Sequence, residues 1–251
     1  MPALVIALLV AATTWAAPAG AAARAVVERP SERCSELWNA GDGVVADVPV
    51  EGDLVVDSPA AGCTLRRVHV LGDLVVPAGT RVTGELVRVD GHVRAAGSVT
   101  LSGTDREQST VWNDVELDGG PDARVVLDRT TLLGDVSGRT GDVLLTGAKV
   151  VGTWDVAVDH VTRIRAATWV SAPATVRGGR VLIHDARFSE GLTLDGTGDA
   201  LVCRTRIGLD LLVTHLTDYA RIGLEVPYAC LSLIHIPSPR DISGSRMPSS
   251  A

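Results

Sequence analysis

The sequence is poor in aromatic residues, in lysine and in asparagine. Aromatic residues make up 3% of its 251 residues, Lys149 is the only lysine, and asparagine occurs only at positions 39 and 113. This bias suggests a GC-rich genome. The formal net charge is −7, whereas a protein that binds nucleic acid normally presents a basic face, so we expect no nucleic-acid partner. The 46% of apolar residues excludes wholesale disorder.

Sequence motifs for common catalytic chemistries are absent. The chain has no Gly-x-Ser-x-Gly elbow, no His-Glu-x-x-His, no phosphate-binding loop, no dinucleotide fingerprint and no calcium-binding nonapeptide repeat. It also lacks a Cys-x-x-Cys pair that could hold zinc. We therefore predict no catalytic, cofactor-binding or metal-binding residues and no cofactor.

The one long apolar run lies at the start of the chain and is too short to span a bilayer. Residues 3–12 are apolar, and small residues follow up to position 25, which is typical of a cleaved signal peptide over residues 1–25. No later run reaches 18 uncharged apolar residues, so we expect no transmembrane segment after cleavage. The predicted localisation is secreted or cell-surface.

A repeat of about 20 residues dominates the rest of the chain. Residues 52–56 and 72–76 both read GDLVV, and related Gly-Asp or Gly-x-Val units continue at spacings of roughly 18 to 22. Each unit holds short β-branched runs bounded by Gly, Pro and Asp, which indicates strands and turns. Glycine is expected at the corners, where it supplies positive φ.

These features predict an all-β fold, a right-handed parallel β-helix of about nine short rungs over residues 44–230. Leu54 should stack on Leu74, and Val56 on Val76, inside the tube. The rival is an antiparallel β-sandwich, but its strands would not be copies of one another and few hairpin turns are present. Residues 26–43, with Trp38, are the predicted N-terminal cap.

The repeat unit GDLVVPAGTRVTGELVRVDG (72–91) resembles those of secreted parallel β-helix proteins of high-GC bacteria. The pattern of the repeats is also similar to that of bactofilins, polymer-forming β-helix proteins that lack a signal peptide and cysteines. The resemblance covers roughly residues 44–226 and implies a β-helix fold, with self-assembly as one outcome.

Residues 231–251 break the repeat and resemble translated sequencing-adapter DNA. Residues 231–236 read LSLIHI, which a common transposase adapter encodes, and residues 245–251 match a shifted frame of an index primer. We therefore expect this tail to be non-native and to lie outside the rungs.

Four cysteines lie near the two ends of the remaining chain. An even count in an exported protein implies disulfides, and four cysteines allow three connectivities. We favour pairing Cys34 with Cys63 and Cys203 with Cys230, because the ends of a solenoid lack a neighbouring rung.

The strongest candidate for a functional site is a row of four aspartates in the repeats, called here the carboxylate ladder. Asp53, Asp73, Asp114 and Asp135 occupy equivalent places in their repeats. Aspartate after glycine at a bend favours turn chemistry. The alternatives are weak cation binding, and hydrolysis or elimination on a polysaccharide by paired carboxylates.

Other candidate side chains are assigned structural places. Trp112, Trp154 and Trp169 could form a sugar-stacking stripe, but we expect them to pack in the core or at corners. The neighbours His184 and Asp185 should point to opposite faces of a strand, so they are not expected to form a dyad.

Three functions remain open at this point. The first is an exported, non-enzymatic β-helix that acts as a structural or binding module at the cell surface or outside the cell. The second is a polysaccharide-active β-helix enzyme, a lyase or glycosidase, that uses the Asp-lined face. The third is a self-assembling polymer. Expected partners are a cell-envelope polysaccharide or further copies of the chain.

Overall fold

The structure is a computed structural model that describes residues 30–38, 43–58 and 62–223. Beyond residue 223 it gives the backbone of three short strands, Glu225–Val226, Ala229–Cys230 and Leu233–Ile234. The first two of these pair with each other, and Leu233–Ile234 runs antiparallel to the strand at 220–223. The predicted leader, and the tail apart from Leu233–Ile234, lie outside the described residues.

The chain winds through three faces, and successive turns, called rungs here, pair in parallel. The first face contains Ser31–Arg33, Asp53–Val55, Leu74–Val76, Val93–Ala95, Val115–Asp118, Ala174–Arg177, Leu192–Asp195 and Leu211–Thr214. The second contains Val44–Ala46, Cys63–Arg66, Arg81–Glu85, Ser98–Ser102, Arg124–Asp128, Arg180–His184, Ala200–Cys203 and Ala220–Gly223. Two longer strands, Val136–Thr146 and Trp154–Arg165, run continuously from the first face into the second.

The third face is a separate sheet of nine short strands. They are Pro49–Val50, His69–Val70, Arg88–Val89, Ser109–Val111, Thr130–Leu132, Lys149–Val150, Trp169–Val170, Arg187–Phe188 and Arg206–Ile207. The result is a parallel β-solenoid of about ten rungs. This confirms the predicted fold, and the parallel pairing shows that the sandwich alternative is wrong. The extra rung arises because Ser31–Arg33, inside the predicted cap, pairs with Asp53–Val55.

Alternating side chains point into the tube and form stacks along its axis. The register places Leu54 beside Leu74, and both are buried, as are Val56 and Val76. One inward stack on the first face continues through Leu54, Leu74, Val93, Val115, Val136, Trp154, Ala174 and Leu192. Because a single rung cannot bury its own apolar side, this stacking is what makes the core. Each buried Val or Leu contributes on the order of 2 kcal/mol.

The corner between the second and third faces uses left-handed backbone, in most of the described rungs at a residue other than glycine. Its residues with positive φ include Asp47, Arg67, Leu86, Arg129, Ala166, Asp185 and Arg204. The expectation of glycine with positive φ is met at the corner between the first and second faces, by Gly62, Gly79, Gly178, Gly179 and Gly196. At the corner between the second and third faces it is met by Gly147 but fails at most of the described rungs. The conformation costs a non-glycine residue roughly 1–2 kcal/mol. It is held because most of these corner amides bond to the next rung, as Arg67 N does to Glu85 O at 2.9 Å.

The N-terminal end of the solenoid carries the described helix, Cys34–Leu37. Cys34 is bonded to Cys63 with a Cα–Cα distance of 6.2 Å, as predicted, and Leu37 and Trp38 pack against the core. The predicted Cys203–Cys230 pair lies outside the described residues because the side chain of Cys230 is not among them. In the described ranges no helix has the length and apolarity needed to cross a membrane.

Candidate functional site

The four ladder aspartates lie on one row of the first face, where each carboxylate accepts a hydrogen bond from the backbone of the next rung. Asp53 Oδ1 accepts from Asp73 N at 2.8 Å, and Asp73 Oδ1 accepts from His92 N at 2.8 Å. Asp114 Oδ1 accepts from Asp135 N at 2.9 Å, and Asp135 Oδ1 accepts from Thr153 N on the next rung at 2.7 Å. His92 occupies the rung between the two pairs. The row is therefore interrupted, and its carboxylates hold rungs together.

This arrangement gives the row a structural role, but the amides bound belong to the next rung and not to the aspartate's own turn, as local turn chemistry would require. The outer oxygen of Asp73 also lies 3.2 Å from a guanidinium nitrogen of Arg94. Across the described part of the chain, no group of three or more His, Cys, Asp or Glu side chains is arranged to hold a metal ion.

The tryptophans occupy two different environments. Trp154 is buried in the first-face stack, as expected for core packing. Trp169 is 37% exposed on the third face, so the expectation of core or corner packing is wrong for it. Trp112 is 48% exposed but follows the end of its strand at a corner, where Arg88 lies 5.2 Å from its ring centroid. Both rings are exposed because the third-face strands alternate, and the residue before or after each inward apolar side chain must face solvent.

The outer surface of the third face is a mostly basic row. Parallel register aligns, from one rung to the next, His69, Arg88, Thr110, Thr131, Lys149, Trp169, Arg187 and Arg206. We call this set the basic row. Beside it the exposed apolar side chains Leu71, Trp112 and Val151 follow the ends of their strands. None of the eight aligned positions is a carboxylate, although the chain as a whole is acidic. Asp90, beside the row, pairs with both His69 and Arg88 at 2.8 Å, so within the described residues the cations without such a partner are those from Lys149 onward.

Trp169 is held between two cations of the basic row. Lys149 Nζ lies 4.8 Å from the ring centroid, and the Arg187 guanidinium carbon lies 6.0 Å from it. The indole Nε1 donates to Ser189 Oγ at 2.7 Å, which fixes the orientation of the ring. Cation–π contacts of this kind contribute about 0.5–1 kcal/mol at exposed sites. A rigid aromatic surface thus stands between positive charges.

An open cavity of about 560 Å³ adjoins Trp169. Its lining consists of Ala167, Trp169, Asp185, Ala186, Arg187, Arg204 and Arg206. The three arginines outnumber the single carboxylate. The cavity can therefore take an anionic group beside a ring that offers an apolar surface.

Asp185 and His184 do meet, which corrects the expectation that they diverge. His184 Nδ1 lies 2.7 Å from Asp185 Oδ2. The contact forms because Asp185 follows the strand end and has a φ of 56°, so strict alternation no longer applies. Arg204 hydrogen-bonds to the same carboxylate. That bond, with smaller contributions from the charges of His184 and Arg204, lowers the pKa of Asp185.

The sequence did not predict that Asp199 and Asp218, two carboxyl groups on neighbouring rungs, lie close together. Asp199 and Asp218 share a hydrogen bond, which raises the pKa of Asp218. Arg180 hydrogen-bonds to Asp199 at 2.8 Å and lowers the pKa of Asp199. The Gly-Asp dipeptide at 198–199 was visible as part of the repeat, but nothing in the local sequence placed Asp218 beside it.

The basic row was also missed, although its signal was present in the sequence. Lys149-Val150, Trp169-Val170, Arg187-Phe188 and Arg206-Ile207 recur at spacings close to the repeat period. Each pairs an outward cation or aromatic ring with an inward apolar residue. Aligning the repeats on these dipeptides instead of on Gly-Asp would have revealed it.

Comparison with known proteins gave no match to a protein-family model, to a curated protein or to a solved structure.

Proposed function

We propose that the protein is an exported, non-enzymatic β-solenoid that binds an acidic polysaccharide at the cell surface or outside the cell. The observation that carries the proposal is the basic row on the third face. In a chain of net charge −7, Lys149, Trp169, Arg187 and Arg206 stand on four consecutive rungs. At about 4.8 Å per rung they extend over roughly 14 Å.

The chemistry of this row suits a charged sugar chain. An indole ring packs against the apolar C–H side of a sugar, while guanidinium groups form paired hydrogen bonds with carboxylates. Because the side chains stand on short strands of a stacked solenoid, their spacing is fixed before the ligand arrives, which reduces the entropic cost of binding. An extended polymer can follow the rod axis and meet several rungs at once.

Binding is favoured over catalysis by the state of the ladder aspartates. The Oδ1 atoms of Asp53, Asp73, Asp114 and Asp135 accept backbone hydrogen bonds. A carboxylate held in this way is a poor general base, since a proton or substrate must displace the existing bond.

Export is supported by the predicted leader over residues 1–25 and by the Cys34–Cys63 disulfide. Disulfides persist in oxidising compartments and are rare in the cytosol.

The test is affinity electrophoresis of the protein in gels that contain polygalacturonate or alginate, with neutral dextran as the control polymer. We expect retardation by at least one uronate polymer and none by dextran. Arg187→Gln and Trp169→Ala should each weaken binding about tenfold, since each removes an interaction of roughly 1.4 kcal/mol.

Arg177→Gln is the matched control, because it removes the same charge from the first face, where Arg177 pairs with Asp155. If Arg177→Gln weakens binding as much as Arg187→Gln, non-specific charge explains the retention and the proposal fails. Absence of retardation by both uronate polymers also refutes it.

The Asp199–Asp218 pair supports a second candidate, a polysaccharide-active enzyme. The pKa of Asp199 is lowered and that of Asp218 is raised, and such a difference between two neighbouring carboxyl groups is typical of an acid and a base in catalysis. Arg180 hydrogen-bonds to Asp199. This candidate predicts new reducing ends or unsaturated products from the same uronate polymers. It further predicts that Asp218→Asn abolishes them while retardation in the gel is unchanged. Wild-type protein that releases no product contradicts this candidate.

A further inference from the structure

A groove crosses the solenoid where the first face turns into the second. Three successive rungs make this corner with different lengths of chain, namely residues 77–80, 96–97 and 119–123. The short middle corner lies between two longer ones that stand out on either side. The space enclosed has a volume of about 580 Å³.

The floor of the groove is fixed by close backbone packing. A Cβ on Gly97 would lie 2.4 Å from the carbonyl oxygens of both Pro77 and Thr80. The amides of Ala96 and Gly97 both bond to Val76 O, at 2.9 and 3.0 Å. The middle corner therefore cannot rise to fill the groove, which is a permanent part of the fold.

Two arginines face each other across this floor. The register places Arg81 beside Ser98 on one side, and Ser98 lies opposite Arg124 on the other. With rungs about 4.8 Å apart, the two arginine backbones are separated by roughly 10 Å. Among the described residues neither guanidinium has a salt-bridge partner, whereas Arg66 and Arg180 on the same face are paired with Glu85 and Asp199.

Hydroxyl groups occupy the space between the arginines. Ser98 Oγ accepts a hydrogen bond from Arg124 N at 3.1 Å, so its own proton is available to a ligand. Thr83 and Thr100 are adjacent to each other in register and also line the groove. The groove thus combines these hydroxyl donors with apolar surface, to which Ala78, Ala96 and Pro121 contribute.

Two carboxylates lie near Arg124. Asp122 lines the groove, and Asp142 stands beside Arg124 in the strand register. Neither is within salt-bridge distance of Arg81 or Arg124 across the described chain. Asp122 therefore weakens the positive potential of the groove without neutralising a particular arginine.

We propose that this groove binds a small ligand with two oxyanionic groups, carboxylate or phosphate, about 10 Å apart. One group pairs with each arginine, and Ser98 and Thr100 donate hydrogen bonds to the part of the ligand between them. Guanidinium groups bind both kinds of oxyanion through two parallel hydrogen bonds. The site lies on a different face from the basic row and does not depend on it.

The experiment is titration calorimetry with two probes, trigalacturonate for carboxylates and fructose 1,6-bisphosphate for phosphates. Maltotriose is the neutral control. Binding by one or both probes, with shifts of the amide resonances of residues 97–100, is the expected result, and the probe that binds more tightly identifies the anion. Arg81→Gln and Arg124→Gln should each weaken binding about tenfold.

Three further variants separate this site from general effects. Asp122→Asn should strengthen binding, because it removes a repelling carboxylate without removing a donor. Arg177→Gln and Trp169→Ala should leave the affinity unchanged, since they lie on other parts of the solenoid. The inference is overturned if neither probe shifts residues 97–100 at millimolar concentration. It is also overturned if Trp169→Ala weakens binding as much as the groove variants do.

Discussion

A glycine lies one rung after each ladder aspartate because the carboxylate fills the place of a side chain there. A Cβ on Gly91 would lie 2.4 Å from Asp73 Oδ1, and one on Gly72 would lie 2.3 Å from Asp53 Oδ1. The Gly-Asp dipeptides at 72–73 and 134–135 therefore each take part in two successive contacts, the glycine with the rung before and the aspartate with the rung after. The aspartate of one rung requires the glycine of the next.

Gly91→Ala tests this relation at a single residue. The new methyl group would also lie 2.3 Å from Gly72 O, so backbone must shift, and we expect a loss of about 1–3 kcal/mol in the free energy of unfolding. Urea denaturation measures the loss. Gly120→Ala is the control, because a Cβ there meets nothing within 4 Å; it should change stability by less than about 0.5 kcal/mol. Equal effects of the two substitutions would contradict the contact.

The aspartate side of the contact gives a second residue-scale prediction. Asp73→Ala leaves the amide of His92 without its 2.8 Å partner, and we expect it to cost about 1–2 kcal/mol of stability. Asp73→Asn keeps an accepting oxygen and should cost less. Thermal unfolding of the two variants at one pH measures the difference. Equal losses with Asn and Ala would show that the charge, rather than the acceptor, matters at this position.

At the scale of elements, the repeat made the stacked strands predictable. Period-two alternation places Leu74 and Val76 inward whatever the rest of the chain does, and copies of one unit can bury that side only against each other. The left-handed corners were not predictable, since Arg67 and Leu86 adopt positive φ only because the neighbouring rungs hold their amides. Similarly, the partnership of Asp199 with Asp218 depends on how two corners of unlike sequence align.

The disulfide ties two elements of the first rungs, so its loss should act locally. Cys34 and Cys63 are 29 residues apart and join the helix to the second face. The paired substitution Cys34→Ser with Cys63→Ser should lower stability by roughly 3 kcal/mol on the loop-entropy estimate. In hydrogen exchange the amides at 31–38 and 53–58 should lose protection, while those at 136–165 keep it.

A uniform loss of protection along the rod would contradict a local role for this bridge. Thiol titration of unreduced protein from an oxidising compartment provides a separate check, and reactive thiols at Cys34 and Cys63 would contradict the bond itself.

Over the whole molecule, ion pairs link successive rungs on the outside of the tube. Arg67 pairs with Asp47, Arg139 with Asp159, and Arg177 with Asp155. Each partner is one rung away, so the repeat that stacks the core also sets these charges beside one another. Individual exposed pairs contribute little, typically below 1 kcal/mol, but they share a common dependence on pH.

That dependence gives a prediction for the molecule as a whole. Hydrogen bonds and nearby positive charges lower the pKa of seven described aspartates: Asp47, Asp57, Asp90, Asp159, Asp185, Asp195 and Asp199. A carboxyl group with a lower pKa in the folded state stabilises the fold above its unfolded pKa of about 3.9, and this contribution is lost as pH falls through the folded value. Asp218 has a raised pKa and acts in the opposite sense, because ionisation of its carboxyl group beside Asp199 disfavours the folded state. Seven groups against one predict a net loss of stability in acid, so the midpoint of thermal unfolding should be nearly constant from pH 7 to pH 5 and fall steeply below about pH 4.

Calorimetric scans across this pH range measure the midpoint. Asp218→Asn, which removes the opposing group, should raise the midpoint at pH 7 while leaving the fall in acid intact. A midpoint that stays level down to pH 3 would mean that these pairs are equally formed in the unfolded chain or contribute nothing to the fold.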